Sequence, residues 1–145
     1  MAMAERTANC AWDGDLPHGS GKVSGASGAL GELPVTWASR TERSDGKTSP
    51  EELIAAAHSS CFSMALAHGL TEAGNPPEHL DVTAVVTLDE RDGAPTVTTS
   101  QLTVTGRVPG IDQATFEQAA ADAARNCPIS RALAGVEITV TATLQ

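Results

Sequence analysis

Residues Ser49 to Glu72 read SPEELIAAAHSSCFSMALAHGLTE, and this stretch decides the fold. Ser49 is an N-cap residue, Pro50 suits the first helical position, and Glu52 stands three residues after the cap, so a helix starts at Pro50. From Leu53 to Leu70 there is no Asp, Glu, Lys or Arg, and a helix running from Pro50 to about Glu72 therefore has no face built for water. Its length reaches that of a membrane span, but His58, Ser59, Ser60, Ser63, His68 and Gly69 dilute its apolarity. The expectation is a central helix buried on nearly all sides. Ala55, Ala56, Ala57, Ser59 and Ser60 are small enough to let other elements approach closely.

Upstream, short strands separated by glycine-rich turns are expected at Thr7 to Asp13, Gly19 to Ser24 and Pro34 to Arg40, followed by a polar loop over Thr41 to Ser49. Downstream, Asn75-Pro76-Pro77 breaks the helix. A Val- and Thr-rich hairpin then spans Leu80 to Leu88 and Thr96 to Val108, turned at Asp92-Gly93, with Val82, Ala84, Val86 and Leu88 on one face. A second helix begins at Asp112, where Ile111 and Phe116 are placed for a hydrophobic staple and Phe116, Ala120, Ala123 and Cys127 fall on one stripe. Pro128 ends that helix and opens a short one to Ala134, before an alternating strand from Val136 to Leu144. The order β-β-β-α-β-β-α-β is that of an α+β fold, and 145 residues fit one domain, residues 1–145.

Composition removes several classes of function. The balance of 9 basic against 18 acidic residues gives a net charge of −9, which repels nucleic-acid phosphates and anionic lipid headgroups alike. The aromatic residues are Trp12, Trp37, Phe62 and Phe116, with no tyrosine, too few for a base-stacking platform. Met1 to Asn9 contains no apolar run and lacks the shape of a secretory signal, so a cytoplasmic location is expected. In that compartment the three cysteines, Cys10, Cys61 and Cys127, are reactive, metal-bound or inert rather than structural disulfides.

Taken singly, each cysteine also reads as a small buried hydrophobe. Cys10, in a strand beside Trp12, fits that reading and receives no role. Mid-helix burial would raise the pKa of Cys61, so a reactive Cys61 needs a cation brought from elsewhere. Cys127, at the start of the Pro128 helix, sits where the positive dipole end favours a thiolate. Local physics leaves the identity of the attacking thiol open. His58 and Cys61 share a helical face, and with Cys127 they number enough for a zinc site, but no C-x-x-C or H-x-x-x-H pair supports one. Glu51 and Glu52 read as first-turn acids that complement the helix dipole, and Arg40 and Arg43 as solvated loop charges.

The residues of Ser49-Pro50-Glu51-Glu52-Leu53-Ile54-Ala55-Ala56-Ala57-His58, of Cys61-Phe62-Ser63-Met64-Ala65-Leu66 and of Asn126-Cys127-Pro128-Ile129-Ser130 together resemble the osmotically inducible protein C / organic hydroperoxide resistance family (OsmC/Ohr). Ala11-Trp12-Asp13-Gly14-Asp15 and Val108-Pro109-Gly110-Ile111-Asp112 extend the likeness over nearly the whole chain. Ala56-Ala57-His58 and Arg40 look like the OsmC branch. The resemblance implies an intertwined homodimer with mixed sheets and sites at the subunit boundary. It implies a peroxidase of organic hydroperoxides, with no cofactor and no metal, in which Cys61 is the peroxidatic and Cys127 the resolving cysteine. Arg40 would then stabilise the thiolate and Glu51 orient Arg40, with Arg43 the competing choice, and a dithiol such as dihydrolipoyl groups on a lipoylated protein would be the reductant. A non-catalytic redox-sensing or small-molecule-binding module on the same fold is the other reading. Ten helical residues separate Glu51 from Cys61 by about 15 Å, so if both serve one site, a second copy of the helix must bring them together.

Overall fold

A computed structural model describes all residues, Met1–Gln145. The chain falls into two compact units, Met1–Leu53 and Ile54–Gln145.

In the first unit, β1 (Ala8–Asp13), β2 (Ser20–Gly25) and β3 (Leu33–Val35) form an antiparallel sheet in that order. Trp12 lies opposite Gly21, and a Cβ at Gly21 would come within 2.9 Å of both the Trp12 ring and Val35. The bare glycine therefore lets the indole lie across the sheet. The strand expected over Pro34 to Arg40 stops at Val35, and Trp37–Thr41 form a short helix, α1, instead. The cause is local. The Ser39 N–H donates to the Thr36 hydroxyl at 3.0 Å, and the Thr36 N–H donates to the Ser39 hydroxyl at 2.9 Å, a capping box that competes with strand pairing. The Ser39 hydroxyl also donates to the Thr48 carbonyl at 2.9 Å, tying α1 to the approach of the long helix.

That helix, α2 (Pro50–Glu72), starts and ends where the sequence places it. Ser49 caps it by accepting from the Glu52 N–H at 3.1 Å. The boundary between the units falls in its first turn. In the second unit, β4 (His79–Arg91) and β5 (Ala94–Arg107) make the expected hairpin, slightly longer than predicted. Asp92 and Gly93 both adopt positive φ, 53° and 78°, a turn whose twist matches the flanking strands. A register shift between Thr87 and Leu88 interrupts the alternation at the far end of β4. After α3 (Gln113–Asn126), capped by Asp112 through the Thr115 N–H at 2.8 Å, and the short α4 (Pro128–Ala132), strand β6 (Glu137–Leu144) returns parallel to β5. The second sheet is thus mixed, in the order β4-β5-β6.

The core of this unit joins Phe62, Leu66 and Leu70 of α2, Leu102 and Val104 of β5, and Phe116, Ala120, Ala123 and Cys127 of the α3 stripe. Ile111 packs against it. One expectation needs correction: within a single chain α2 is not buried on nearly all sides. His58, Phe62, Leu66 and Leu70 face inward at four-residue steps, whereas Ala56, Ala57, Ser60 and His68 are exposed and Met64 is 72% exposed. The helix is long and apolar enough to cross a membrane, yet here one stripe of it forms the core of an α+β fold. Its open face is uncharged.

Close packing at Gly106 yields a direct test. A Cβ there would overlap the Phe116 ring and press on Leu80, and Phe116 is fully buried. Gly106→Ala should therefore cost about 1–3 kcal/mol of stability. Urea denaturation checks this as a lower midpoint with an unchanged slope.

Candidate active site

The second unit brings Cys61 and Cys127 together. Cys61 projects from the middle of α2 next to the core residue Phe62, and is half-buried. Cys127 ends α3 and caps α4, and is fully buried. Its backbone is pinned on both sides, donating to the Ala123 carbonyl at 2.9 Å and accepting from the Arg131 N–H at 3.1 Å.

Proline at the first position of α4 carries no N–H, so the first free amide of that helix belongs to Ile129. This amide faces the sulfur of Cys61. Burial pushes the Cys61 thiol up, contact with the Cys127 side chain adds to the rise, and the Ile129 N–H opposes it. Within Ile54–Gln145, none of the groups acting on this sulfur is a cation.

Arg40 and Glu51 meet within the first unit. The Arg40 guanidinium donates through Nε to Glu51 Oε1 at 3.0 Å and Oε2 at 3.2 Å, and through Nη2 to Oε1 at 2.8 Å. The Glu51 side chain is 9% exposed and that of Arg40 30%. The pair is thus sheltered and forked, a geometry that fixes the guanidinium plane. Trp37 supports it from the side, with its ring centroid 5.9 Å from the Arg40 carbon Cζ. Residue pattern alone reads Glu51 as a first-turn acid, because the loop that returns Arg40 to the helix start has no sequence signature; the pairing of the two was expected from the family resemblance, and the structure makes it. Arg43 is exposed and reaches only Asp45, at 3.9 Å. A cavity of about 200 Å³ lies beside Arg40, walled by Cys10, Trp12, Leu16, Val35 and Trp37.

His58 is fully buried. Its Nδ1 lies 2.7 Å from the Ser100 hydroxyl and its Nε2 2.8 Å from the Ser130 hydroxyl. Burial lowers its pKa below the usual histidine value, which keeps the ring neutral at pH 7, one nitrogen donating and the other accepting. With both nitrogens engaged by hydroxyls, the ring has no lone pair free for the zinc set weighed from the sequence. Ser130 lies in the segment Asn126 to Ser130 singled out above, but nothing in the sequence pointed to Ser100.

The family model described as OsmC-like protein matches residues 43–141. The chain belongs to the OsmC-like family. The match takes in Glu51, His58, Cys61 and Cys127 and begins just after Arg40. Among relatives of this OsmC-like chain, Peroxiredoxin OsmC of Escherichia coli (strain K12) is 45% identical over 122 residues, covering 84% of this chain and 85% of that protein. A crystal structure of an organic hydroperoxide resistance protein OsmC from Legionella pneumophila superposes with a TM-score of 0.74 at 23% identity, covering 99% of each chain. The organic hydroperoxide resistance protein OhrB of Bacillus subtilis does so with a TM-score of 0.71 at 22% identity, over 96% of this chain and 98% of that one. These two superpositions establish an OsmC/Ohr fold.

Proposed function

We propose that this chain is a thiol peroxidase that reduces organic hydroperoxides through Cys61 and Cys127. The observation that carries the reading is the placement of the two cysteines in one packed cluster, Cys61 partly open on α2 and Cys127 buried at the start of α4, with the Ile129 N–H favouring the Cys61 thiolate. The name of the E. coli relative, Peroxiredoxin OsmC, supports the same reaction class. In the proposed cycle the Cys61 thiolate attacks the terminal peroxide oxygen, the O–O bond breaks, and a proton accompanies the departing alkoxide to give an alcohol and a Cys61 sulfenic acid. The Cys127 thiol displaces hydroxide from that sulfur, forming the Cys61–Cys127 disulfide and water. A dithiol such as a dihydrolipoyl group then reduces the disulfide by two exchange steps and leaves as its own cyclic disulfide.

A raised Cys61 pKa makes a poor nucleophile, so the reaction needs a positive charge at this sulfur. Arg40, oriented by Glu51, supplies it in our reading, and the copy that serves Cys61 comes from the partner subunit of a homodimer. The open, uncharged face of α2 offers the surface for that pairing. The apolar walls of the cavity beside Arg40 suit the organic part of an alkyl or lipid hydroperoxide. Keeping both thiols reduced between cycles is easiest in the cytoplasm, where we place the protein.

Steady-state assay with cumene and tert-butyl hydroperoxide, with dihydrolipoamide as donor, tests the reading. The expected result is many turnovers per chain by a protein that sediments as a dimer. Oxidation that stops after one equivalent, with no turnover when dihydrolipoamide is supplied, would instead make the chain a redox-sensing module. An active monomer would overturn the shared site.

A further inference from the structure

The cycle described above leaves His58 unused, although it is a fully buried ionisable side chain. Its position is specific. It lies one helical turn before Cys61 on α2, and its ring spans two different elements: Ser100 on β5 and Ser130 on α4. α4 is the element whose Ile129 amide faces the Cys61 sulfur and whose cap residue is Cys127. With five residues and no side-chain bond at its N-terminal cap, α4 has little intrinsic stability of its own. It meets α2 at two polar points, the Cys61 sulfur and the His58 ring.

We propose that His58 is a positioning residue for Cys61: through Ser130 it holds α4 against α2 so that the Ile129 N–H stays on the Cys61 sulfur. Hydrogen bonding to the charged form of a group favours that form. A backbone amide held on the sulfur therefore raises the thiolate fraction, and an amide free to swing away does not. The Ser100 bond anchors the other side of the ring to β5, which supplies no hydrogen bond to the Cys61 sulfur. The two hydroxyls are thus alike in burial and bond length but differ in what they hold.

That difference makes the test. The effect on turnover rests on Cys61 being the attacking thiol, but the primary readout does not. It is the pH dependence of Cys61 alkylation by iodoacetamide in the reduced full-length protein, followed by mass mapping of the Cys61 peptide. Ser130→Ala should raise the apparent Cys61 pKa by about one pH unit, roughly a tenfold fall in thiolate at fixed pH. Ser100→Ala should leave that titration in place while lowering thermal stability to a similar extent. Ser130→Thr and Ser130→Val, nearly equal in volume, repeat the comparison with and without the hydroxyl, and the threonine should restore the parent titration.

If Ser100→Ala and Ser130→Ala shift the titration equally, or neither shifts it while both destabilise, His58 is a buried structural bridge and the proposal fails. Should the parent protein show no peroxide turnover while the Ser130→Ala shift stands, the peroxidase reading fails and the positioning role survives.

Discussion

Cys61→Ser should abolish hydroperoxide turnover, and Cys127→Ser should permit a single stoichiometric oxidation and then stop. The difference follows from where the two sulfurs sit. Cys61 is the half-exposed member of the pair and has an amide N–H directed at it, whereas Cys127 is fully buried and held at both backbone ends. A peroxide can reach the first and not the second. Without Cys127 the sulfenic acid on Cys61 has no internal thiol to condense with, and excess peroxide should drive it to sulfinic acid. Intact mass after one equivalent of cumene hydroperoxide reads the outcome: loss of two protons in the parent, gain of one oxygen in Cys127→Ser, a second oxygen with excess, and neither change at position 61 in Cys61→Ser. If Cys127→Ser blocks the first oxidation, the roles are reversed.

The second large effect is expected at Arg40. An opposite charge within a few ångströms lowers the pKa of an acid by about 1–3 units, so Arg40→Ala should raise that of Cys61 by that amount and slow peroxide attack about 10- to 1,000-fold. Arg43→Ala should do neither, since its side chain lies in solvent beside Asp45. Subunit mixing locates the charge. Cys61→Ser and Arg40→Ala chains, each nearly inactive alone, should form mixed dimers in which the intact Arg40 of one chain serves the intact Cys61 of the other, recovering up to half the parental activity per mixed dimer. If both residues belong to one chain's site, mixing restores nothing.

Much of this architecture is legible in the sequence because its signals are local. The Ser49-Pro50 start, the charge-free run to Leu70, the Asp92-Gly93 turn and the Asp112 cap each fix an element through neighbouring residues, and all four stand in the structure where they were expected. The segment after Val35 was misread because Val35, Thr36 and Trp37 look like strand residues singly, while the Thr36–Ser39 cap that decides the matter is a pairwise effect. Contacts between distant segments were less accessible. The two cysteines could be named as a pair only by resemblance, and so could Glu51 with Arg40, whose contact depends on the fold bringing distant residues together. His58 had no partner that spacing could reveal, because Ser100 and Ser130 approach from different elements. The full burial expected of α2 treated an uncharged face as a covered one, and a single chain cannot cover it.

The parallel pairing of β6 with β5 has a consequence for how the protein is made. Thr99 must find Glu137 and Gly106 must find Leu144, so the connection carrying Cys127 becomes a closed loop only after β6 has been synthesised. Until then the outer edge of β5 is unpaired and prone to the wrong strand, and the late closure puts this step among the slower ones in folding. Until β6 packs against α3, Cys127 lacks its finished surroundings, while Cys10 is exposed even in the folded chain. An oxidising spike during translation should therefore leave mispaired Cys10–Cys127 chains that a spike after folding does not.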